Sequence, residues 1–453
     1  MLQFRLASPR TALLDIALAI AMAGTFHGTA LAAPDPGECG LQASQLDSVR
    51  AIGADLVKRG HAPGVVTLIY CGKEAVLAAA EGMADQARQR ASAMDDLFRI
   101  YSMTKPVTSV AALILADEGK LRLDDPVARF IPEFGDAKVF AGAGQPVQPL
   151  ARPVTIRDLL RHTAGLTYRG AENDVQKAYV ARGIDHGGGA VVVPEDGSAP
   201  VANLADMARR IATIPLLGQP GERFTYGNAT DVLGRVVEAA SGETLERFLA
   251  QRIFKPLGMH DTAFQVGAAG QARLTAAYWA SASTPGDNRI LRAGGTAALA
   301  QGSVKQAEDP ANSVFAKPRS IAFGGAGLVS TAADYQRFLQ MLMNGGAADG
   351  KRIVSAAMLA EMTRNQLPAS ALANPQLASQ GLGFGLGVAT VADLARAPVQ
   401  VSPGFYFWGG AASTYFWVDP ARRMSGVVMT QVLGGDVGAF YIEMLKALYP
   451  SKK

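Results

Sequence analysis

The sequence predicts an α/β fold in which strands from both ends of the chain form one sheet and the middle of the chain is mainly helical. Residues 64–70 and 74–80 are apolar runs joined by a short turn that contains a glycine, a pattern typical of an antiparallel hairpin. Residues 413–418 and 424–432 form a second such pair near the C-terminus, joined by a turn that contains a proline. Both hairpins are expected in the same sheet.

The helices are predicted from apolar periodicity and from the residues that begin and end helices. Residues 106–118 are apolar nearly all round, start with a proline and stop at Gly119, so we expect a helix buried on all sides. Further helical stretches are expected at residues 156–161, 204–214, 230–240, 332–343 and 437–448. The resulting domains are a discontinuous α/β sheet domain at 40–104 and 320–453 and a mainly helical domain with loop insertions at 105–319.

The N-terminal 32 residues have the features of a signal peptide. Two arginines precede an apolar stretch at residues 12–24, and Ala30-Leu31-Ala32 has the spacing that signal peptidase recognises. The stretch is shorter than the roughly 20 residues of a membrane-spanning helix, so stable membrane insertion is not expected. Asp15 interrupts it, which leaves open a cytoplasmic protein with an N-terminal extension. The first interpretation predicts a periplasmic or secreted protein.

Composition excludes several classes of partner. The 453 residues carry 43 Lys+Arg and 39 Asp+Glu, a net charge of +4, without a long run of like charge, so no nucleic-acid partner is expected. None of the five histidines is paired at metal-ligand spacing, and two cysteines cannot form a four-cysteine zinc site, so neither a metal nor a cofactor is expected. If the chain is exported, Cys39 and Cys71 can form one disulfide; two free thiols are the alternative.

Ser102 and Lys105 are the first candidates for catalysis. They stand three residues apart at the start of the predicted buried helix, so their side chains share a face. Burial favours the neutral amine of a lysine, which can then accept the proton of the serine hydroxyl. A serine followed at +3 by a lysine occurs about once by chance in a chain of this length, so an ordinary helix start is the alternative.

Tyr226 and Asn228 form a second candidate pair, in a turn that leads into the helix predicted at residues 230–240. A phenol near a lysine can relay a proton, and an amide can hold a substrate carbonyl. The pattern Y-x-N is weak by itself, because a helix-capping asparagine behind a core tyrosine has the same sequence.

A third candidate is Trp408-Gly409-Gly410-Ala411, directly before a predicted strand. Paired glycines let a ligand approach the backbone, and an N–H group there can complete an oxyanion hole with the N–H of Ser102. A β-bulge with an aromatic plug is the alternative. No serine lies in a G-x-S-x-G elbow, which excludes the nucleophile motif of α/β-hydrolases.

Six sequence blocks occur together in an order that is specific to one superfamily: SMTK (102–105), LLRHTAGL (159–166), PGERFTYGN (220–228), PLGMHDT (256–262), GGAGLVSTAADYQRF (324–338) and FWGGAASTYFWVDP (407–420). The chain resembles the penicillin-binding protein and class C β-lactamase superfamily, in particular its family VIII carboxylesterases, over residues 62–449. The resemblance implies an antiparallel sheet flanked by helices, with the active site where it meets the helical domain.

The resemblance also implies a role for each candidate residue. Ser102 is the implied nucleophile, Lys105 the general base and Tyr226 a second proton-transfer group. Asn228 is the implied substrate-orienting amide, and the N–H of Ala411 is the implied oxyanion donor on the strand.

Trp408-Gly409-Gly410 stands where β-lactamases and peptidases of the superfamily have K-T-G. Tryptophan has no charge for a substrate carboxylate, although its ring can stack on an apolar or aromatic ester. The resemblance therefore implies a serine carboxylesterase that cleaves short-chain or aromatic esters through an acyl-enzyme on Ser102. A β-lactamase, a D-alanyl-D-alanine carboxypeptidase, an acyltransferase and a non-catalytic binding protein are the alternatives on this fold.

Overall fold

An eight-stranded antiparallel sheet forms the centre of the computed structural model, and both ends of the chain contribute strands to it. The structure describes residues 36–185, 187, 193–281, 302–435 and 438–450, so the predicted signal peptide lies outside the described residues. The strands are β1 (Gly64–Cys71), β2 (Glu74–Asp85), β3 (Arg90–Ala91), β4 (Phe98–Arg99), β5 (Lys138–Val139), β6 (Gln148–Pro149), β7 (Ala277–Ala280), β8 (Val304–Glu308), β9 (Val329–Ser330), β10 (Ala347–Ala348), β11 (Lys351–Arg352), β12 (Leu382–Phe384), β13 (Ala389–Val391), β14 (Tyr406–Gly410), β15 (Thr414–Asp419), β16 (Met424–Met429) and β17 (Val432–Leu433).

Helices cover both faces of this sheet. They are α1 (Ala43–Lys58), α2 (Thr104–Asp117), α3 (Ile156–Leu160), α4 (Asp174–Ala181), α5 (Leu204–Ala212), α6 (Ala229–Ser241), α7 (Leu245–Leu249), α8 (Lys255–Leu257), α9 (Ala332–Met343), α10 (Ala356–Thr363), α11 (Ala369–Leu372), α12 (Pro375–Ala378) and α13 (Gly438–Leu448). Among the described residues, no helix is both long and apolar enough to span a bilayer.

The strand order of the large sheet is β12-β13-β14-β15-β16-β1-β2-β3. Strand β1 lies in the interior of the sheet, where Leu68 is opposite Val427 of β16 and Ala78 of β2. The N-terminal hairpin is therefore joined directly to the C-terminal one, β15 and β16. Both predicted hairpins, and the α/β fold class with an antiparallel sheet flanked by helices, are confirmed.

The alternation of side chains along β1 explains the two layers of helices. Val65 and Ile69 face one core, which they share with residues of α1 and α13, whereas Val66 and Leu68 face a second core formed with α2, α6 and α9. Successive residues of a strand point to opposite faces, so an apolar strand with both faces buried needs helices on each side.

Helix α2 is buried on nearly all sides, as its composition predicts. Each residue from Thr104 to Leu115 is buried, and the helix packs against α6. It ends where Glu118 caps it and Gly119 adopts a left-handed φ of 70°. A helix packed on nearly all sides is held rigidly, so the residues at its N-terminus have fixed positions.

Cys39 and Cys71 form a disulfide, which ties the segment before α1 to the end of β1.

Strands β7 and β8 form a small sheet with β17, although the sequence pattern does not predict β7 or β8. Strand β8 is half-buried to exposed along its length, so it lacks the apolar alternation that marks a strand. The division into a sheet domain and a helical domain stays a prediction.

Candidate active site

Ser102 lies in the short segment between the end of β4 and the first residue of α2. Tyr101, just before it, has a φ of 41°, a left-handed conformation that costs a non-glycine residue roughly 1–3 kcal/mol. The turn is fixed from the other side, because the hydroxyl of Tyr335 donates a hydrogen bond of 2.9 Å to the carbonyl of Met103. The Ser102 side chain is thereby held at the edge of the core, with the residue 5% exposed.

Lys105 follows one helical turn later and is completely buried. Its Nζ donates to Ser102 Oγ at 3.2 Å, to Tyr168 Oη at 2.9 Å and to the carbonyl of Gly325 at 2.8 Å. Three groups that can accept a hydrogen bond therefore surround this nitrogen, and the Ser102 hydroxyl is one of them. The structure thus brings Ser102 and Lys105 together as the motif predicts, while their catalytic roles stay predictions.

Tyr226 presents its ring to the same lysine. Lys105 Nζ lies 4.7 Å from the ring centroid, within the range of a cation–π contact. The Tyr226 hydroxyl is buried and has no hydrogen-bond partner among the residues that the structure describes. An unpartnered phenol beside the lysine is free to bond an incoming group, which agrees with its predicted proton-transfer role without testing it.

Tyr168 is a site residue that none of the sequence motifs predicts. Its hydroxyl accepts the hydrogen bond from Lys105, and its ring packs edge-on against that of Tyr226 at 5.6 Å. Burial, and after it the neighbouring Tyr226, raise the pKa of Tyr168 well above its usual value, so this phenol keeps its proton. Its position two residues after the LLRHTAGL block is the signal that marks it.

Asn228 is fully buried and is connected to the site by hydrogen bonds. Its Nδ2 donates to the carbonyl of Asp185 at 3.0 Å and to Asp231 Oδ2 at 2.9 Å. Asp231, also missed, accepts a bond of 2.9 Å from the N–H of Gly325, whose carbonyl in turn accepts from Lys105. Through Asp231 and Gly325, hydrogen bonds thus connect Asn228 to Lys105. The role of Asn228 in orienting substrate stays a prediction.

Asp231 is recognisable from its spacing, since it stands three residues after Asn228 on the first turn of α6. Burial raises the pKa of the Asp231 carboxyl, and the charge of Lys105 opposes this shift. A buried carboxyl so close to the lysine contributes to the electrostatic environment of the site.

Trp408 packs against Tyr226 and is 1% exposed. Its ring packs 5.4 Å from that of Tyr226 and 5.1 Å from that of Phe384. Gly409 and Gly410 end β14 opposite Tyr415 and Thr414 of β15.

Ala411 follows Gly410 and packs against a small apolar cluster that contains Tyr101. The end of β14 therefore lies beside the segment that carries Ser102. The predicted roles of Gly409, Gly410 and Ala411 at an oxyanion hole, and of Trp408 toward the substrate, stay predictions.

His162 completes the aromatic surroundings of Tyr226. It follows the end of α3 with a φ of 56°, and its ring lies 4.6 Å from that of Tyr226. Burial, with a smaller contribution from the charge of Lys105, holds the pKa of His162 well below its usual value, so the ring stays neutral. In the described ranges, no group of three or more His, Cys, Asp or Glu residues is placed to hold a metal ion.

Replacing Gly410 with alanine tests how tightly the strand is placed against the nucleophile segment. A Cβ at Gly410 would overlap the carbonyl oxygen of Ile100 and the hydroxyl of Thr414, so β14 must move away from the turn before Ser102. We expect at least a tenfold lower kcat/KM for an ester, because small displacements of a catalytic group have large effects on rate. Gly267→Ala is the control, since a Cβ there meets open space. Equal activity of the two variants would contradict the close approach.

Comparison with known proteins places this geometry in a family. A family model described as Beta-lactamase matches residues 49–449. The chain is 30% identical over 420 residues to Esterase EstB of Burkholderia gladioli, an alignment that covers 92% of this chain and 98% of EstB. It is 32% identical over 389 residues to Protein Rv1367c of Mycobacterium tuberculosis, covering 84% of this chain and 88% of that protein.

A solved structure agrees with these relatives. EstCE1, described as a hydrolase with promiscuous acyltransferase activity, superposes with a TM-score of 0.72 at 26% identity, covering 90% of this chain and 99% of EstCE1. The fold, the family model and the esterase relative point to the same group of proteins. The chain therefore belongs to the β-lactamase family and is a serine hydrolase related to the family VIII carboxylesterases.

Proposed function

We propose that this chain is a carboxylesterase that cleaves short-chain or aromatic esters through an acyl-enzyme on Ser102. The observation that carries the proposal is the 3.2 Å hydrogen bond between Ser102 Oγ and the completely buried Nζ of Lys105. A hydroxyl at hydrogen-bond distance from a buried amine is the arrangement that activates a serine nucleophile. The similarity to Esterase EstB supports an ester as the substrate.

Acylation begins when Ser102 Oγ attacks the ester carbonyl carbon. The hydroxyl proton passes to Lys105, and the negative charge that develops on the carbonyl oxygen is held by the N–H groups of Ser102 and Ala411. When the tetrahedral intermediate collapses, the bond to the alcohol oxygen breaks and the alcohol leaves with the proton. Water then attacks the acyl-enzyme, gives up a proton to the same base and releases the acid and the Ser102 hydroxyl.

The two tyrosines have different roles in this proposal. Tyr168 keeps its proton, so it holds the lysine by accepting its hydrogen bond and does not act as a base. The hydroxyl of Tyr226, which has no hydrogen-bond partner among the described residues, is the group that passes the proton between Lys105 and the leaving alcohol.

The choice between an ester and a β-lactam is tested by comparing kcat/KM for 4-nitrophenyl butyrate and for a chromogenic cephalosporin. We expect the ester value to exceed the cephalosporin value by at least about 100-fold, because Trp408 provides no cation for the lactam carboxylate. After reaction with a phosphonate ester, intact-mass analysis is expected to show one adduct, and peptide mapping is expected to locate it on Ser102. A higher value for the cephalosporin would overturn the ester proposal, as would an adduct at another residue.

Acyl transfer is the second candidate function. It is favoured by the similarity to EstCE1, which is described as a hydrolase with promiscuous acyltransferase activity. An acyl-enzyme does not determine its acceptor, so an alcohol can take the place of water. Product analysis with an added short-chain alcohol distinguishes the two: formation of a new ester at the expense of the acid supports transfer, and acid alone contradicts it.

A further inference from the structure

The turn between β14 and β15, residues 411–413, carries Ala411, the strand-side oxyanion donor of the proposed mechanism. The N–H of Ser413 donates to the carbonyl of Gly410 at 2.9 Å, which closes the turn. Ser413 has a φ of 62°, the left-handed conformation that is typical of the last residue in a three-residue hairpin turn. This conformation is strained for serine, so it persists only where neighbouring groups hold it.

The carbonyl of Ser413 is held by hydroxyl groups from two other elements. Tyr441, on α13, donates a hydrogen bond to it, and Thr430 Oγ1, between β16 and β17, lies 2.8 Å from the same oxygen. The N–H of Val432 donates to the carbonyl of Ala412 at 3.0 Å, and Ser413 Oγ donates to the carbonyl of Val432 at 2.7 Å. All of these residues are buried. The turn is therefore held by α13 and by the segment that follows β16.

The ring and the charge state of Tyr441 both favour its hydrogen bond to the turn. The ring stacks on that of Tyr415, in β15, with the centroids 4.4 Å apart and the planes 15° from parallel. Burial, and after it the neighbouring Tyr415, raise the pKa of Tyr441 well above its usual value. The phenol thus keeps its proton and remains a donor to Ser413.

The same turn contacts the segment that carries Ser102. Ala411 and Ala412 pack with Tyr101 in one small apolar cluster, and Tyr101 directly precedes Ser102. A displacement of the turn would change the distance between the N–H of Ala411 and the N–H of Ser102. An oxyanion hole depends on this distance, because each donor must lie about 2.7–3.1 Å from the oxyanion.

We propose that Tyr441 is a positioning residue for the esterase reaction: its hydrogen bond to Ser413 keeps the N–H of Ala411 where it stabilises the oxyanion. This inference rests on the proposed function, which takes Ala411 as a donor. The carbonyl oxygen becomes negative in the transition state and not in the bound ester, so loss of the bond lowers kcat more than it raises KM. Helix α13 thereby contributes to catalysis as well as to packing.

The test is Tyr441→Phe, which removes the hydroxyl and keeps the ring that stacks on Tyr415. With 4-nitrophenyl butyrate we expect kcat to fall about tenfold or more and KM to change less than about threefold. Butyl trifluoromethyl ketone forms a hemiketal oxyanion on a serine nucleophile, so its inhibition constant is expected to rise by a similar factor.

Tyr449→Phe is the matched control. The Tyr449 hydroxyl is also buried, and it donates a hydrogen bond of 2.7 Å to Asp419, at the end of β15 that lies away from the turn. Both substitutions remove one buried phenol oxygen, so both are expected to lower the thermal unfolding midpoint. Only Tyr441→Phe is expected to lower kcat and to weaken inhibition by the ketone.

The outcomes separate this inference from the proposed function. Wild-type kcat in Tyr441→Phe, an equal loss in Tyr449→Phe, or unchanged inhibition by the ketone would each overturn the role of Tyr441 while esterase activity is present. Absence of turnover in the wild type would contradict the esterase proposal instead. Calorimetric binding of the ketone then tests Tyr441 without turnover: a Kd at least about fivefold higher in Tyr441→Phe than in Tyr449→Phe supports its role, and equal or absent binding refutes it.

Discussion

Ser102→Ala is expected to lower kcat/KM for 4-nitrophenyl butyrate by about a thousandfold or more, leaving only the contributions of binding and oxyanion stabilisation. The fold is expected to survive, because the change removes one oxygen whose bond to Lys105 is one of three that the lysine makes. Labelling by a phosphonate ester should disappear with the hydroxyl. Activity is measured by nitrophenol release and folding by the thermal unfolding midpoint.

Ser109 provides a matched control on the same helix. Its hydroxyl is buried and has no hydrogen-bond partner in the described part of the chain, so Ser109→Ala removes an equivalent atom without touching Ser102. We expect near-normal turnover and normal phosphonate labelling from Ser109→Ala. If Ser102→Ala kept more than about a tenth of wild-type activity, the acyl-enzyme on Ser102 would be excluded.

The elements predicted well are those whose side chains alternate between a buried and an exposed face or are buried throughout. Helix α9 spans Ala332–Met343, the predicted bounds, because Thr331 caps its first turn and its apolar residues repeat on one face. Helix α2 is predicted well because it is buried on nearly all sides and its sequence is correspondingly apolar. Strand β8 carries mainly polar residues on an exposed edge, so its pairing with β7 is decided by neighbours that a local pattern does not include.

The candidate site shows the same limit. Ser102 and Lys105 are recognisable because one helical turn brings them together, whatever the rest of the chain does. Tyr168 reaches Lys105 across 63 positions of sequence, and Gly325 across 220, so their contacts depend on the assembled fold.

Lys105→Met is expected to lower kcat/KM by about 10²- to 10⁴-fold, the usual contribution of a general base. Methionine approximates the length and volume of the lysine chain but cannot accept the Ser102 proton. It also leaves Tyr168 Oη and the Gly325 carbonyl without their donor, so some loss of stability is expected, and thermal unfolding must be followed alongside activity. Retention of more than about a tenth of wild-type activity in a folded variant would contradict the role of Lys105.

Substitution by phenylalanine separates the roles of the two tyrosines. Burial raises the pKa of Tyr168 well above its usual value, so this phenol stays protonated and does not accept the Ser102 proton. Tyr168→Phe should therefore lower kcat/KM only through loss of the hydrogen bond that Tyr168 accepts from Lys105. Tyr226→Phe is expected to cause the larger loss of the two, because in the proposed mechanism the Tyr226 oxygen exchanges a proton with the leaving alcohol. Nitrophenol release by the two variants checks this order, and a larger loss in Tyr168→Phe would contradict it.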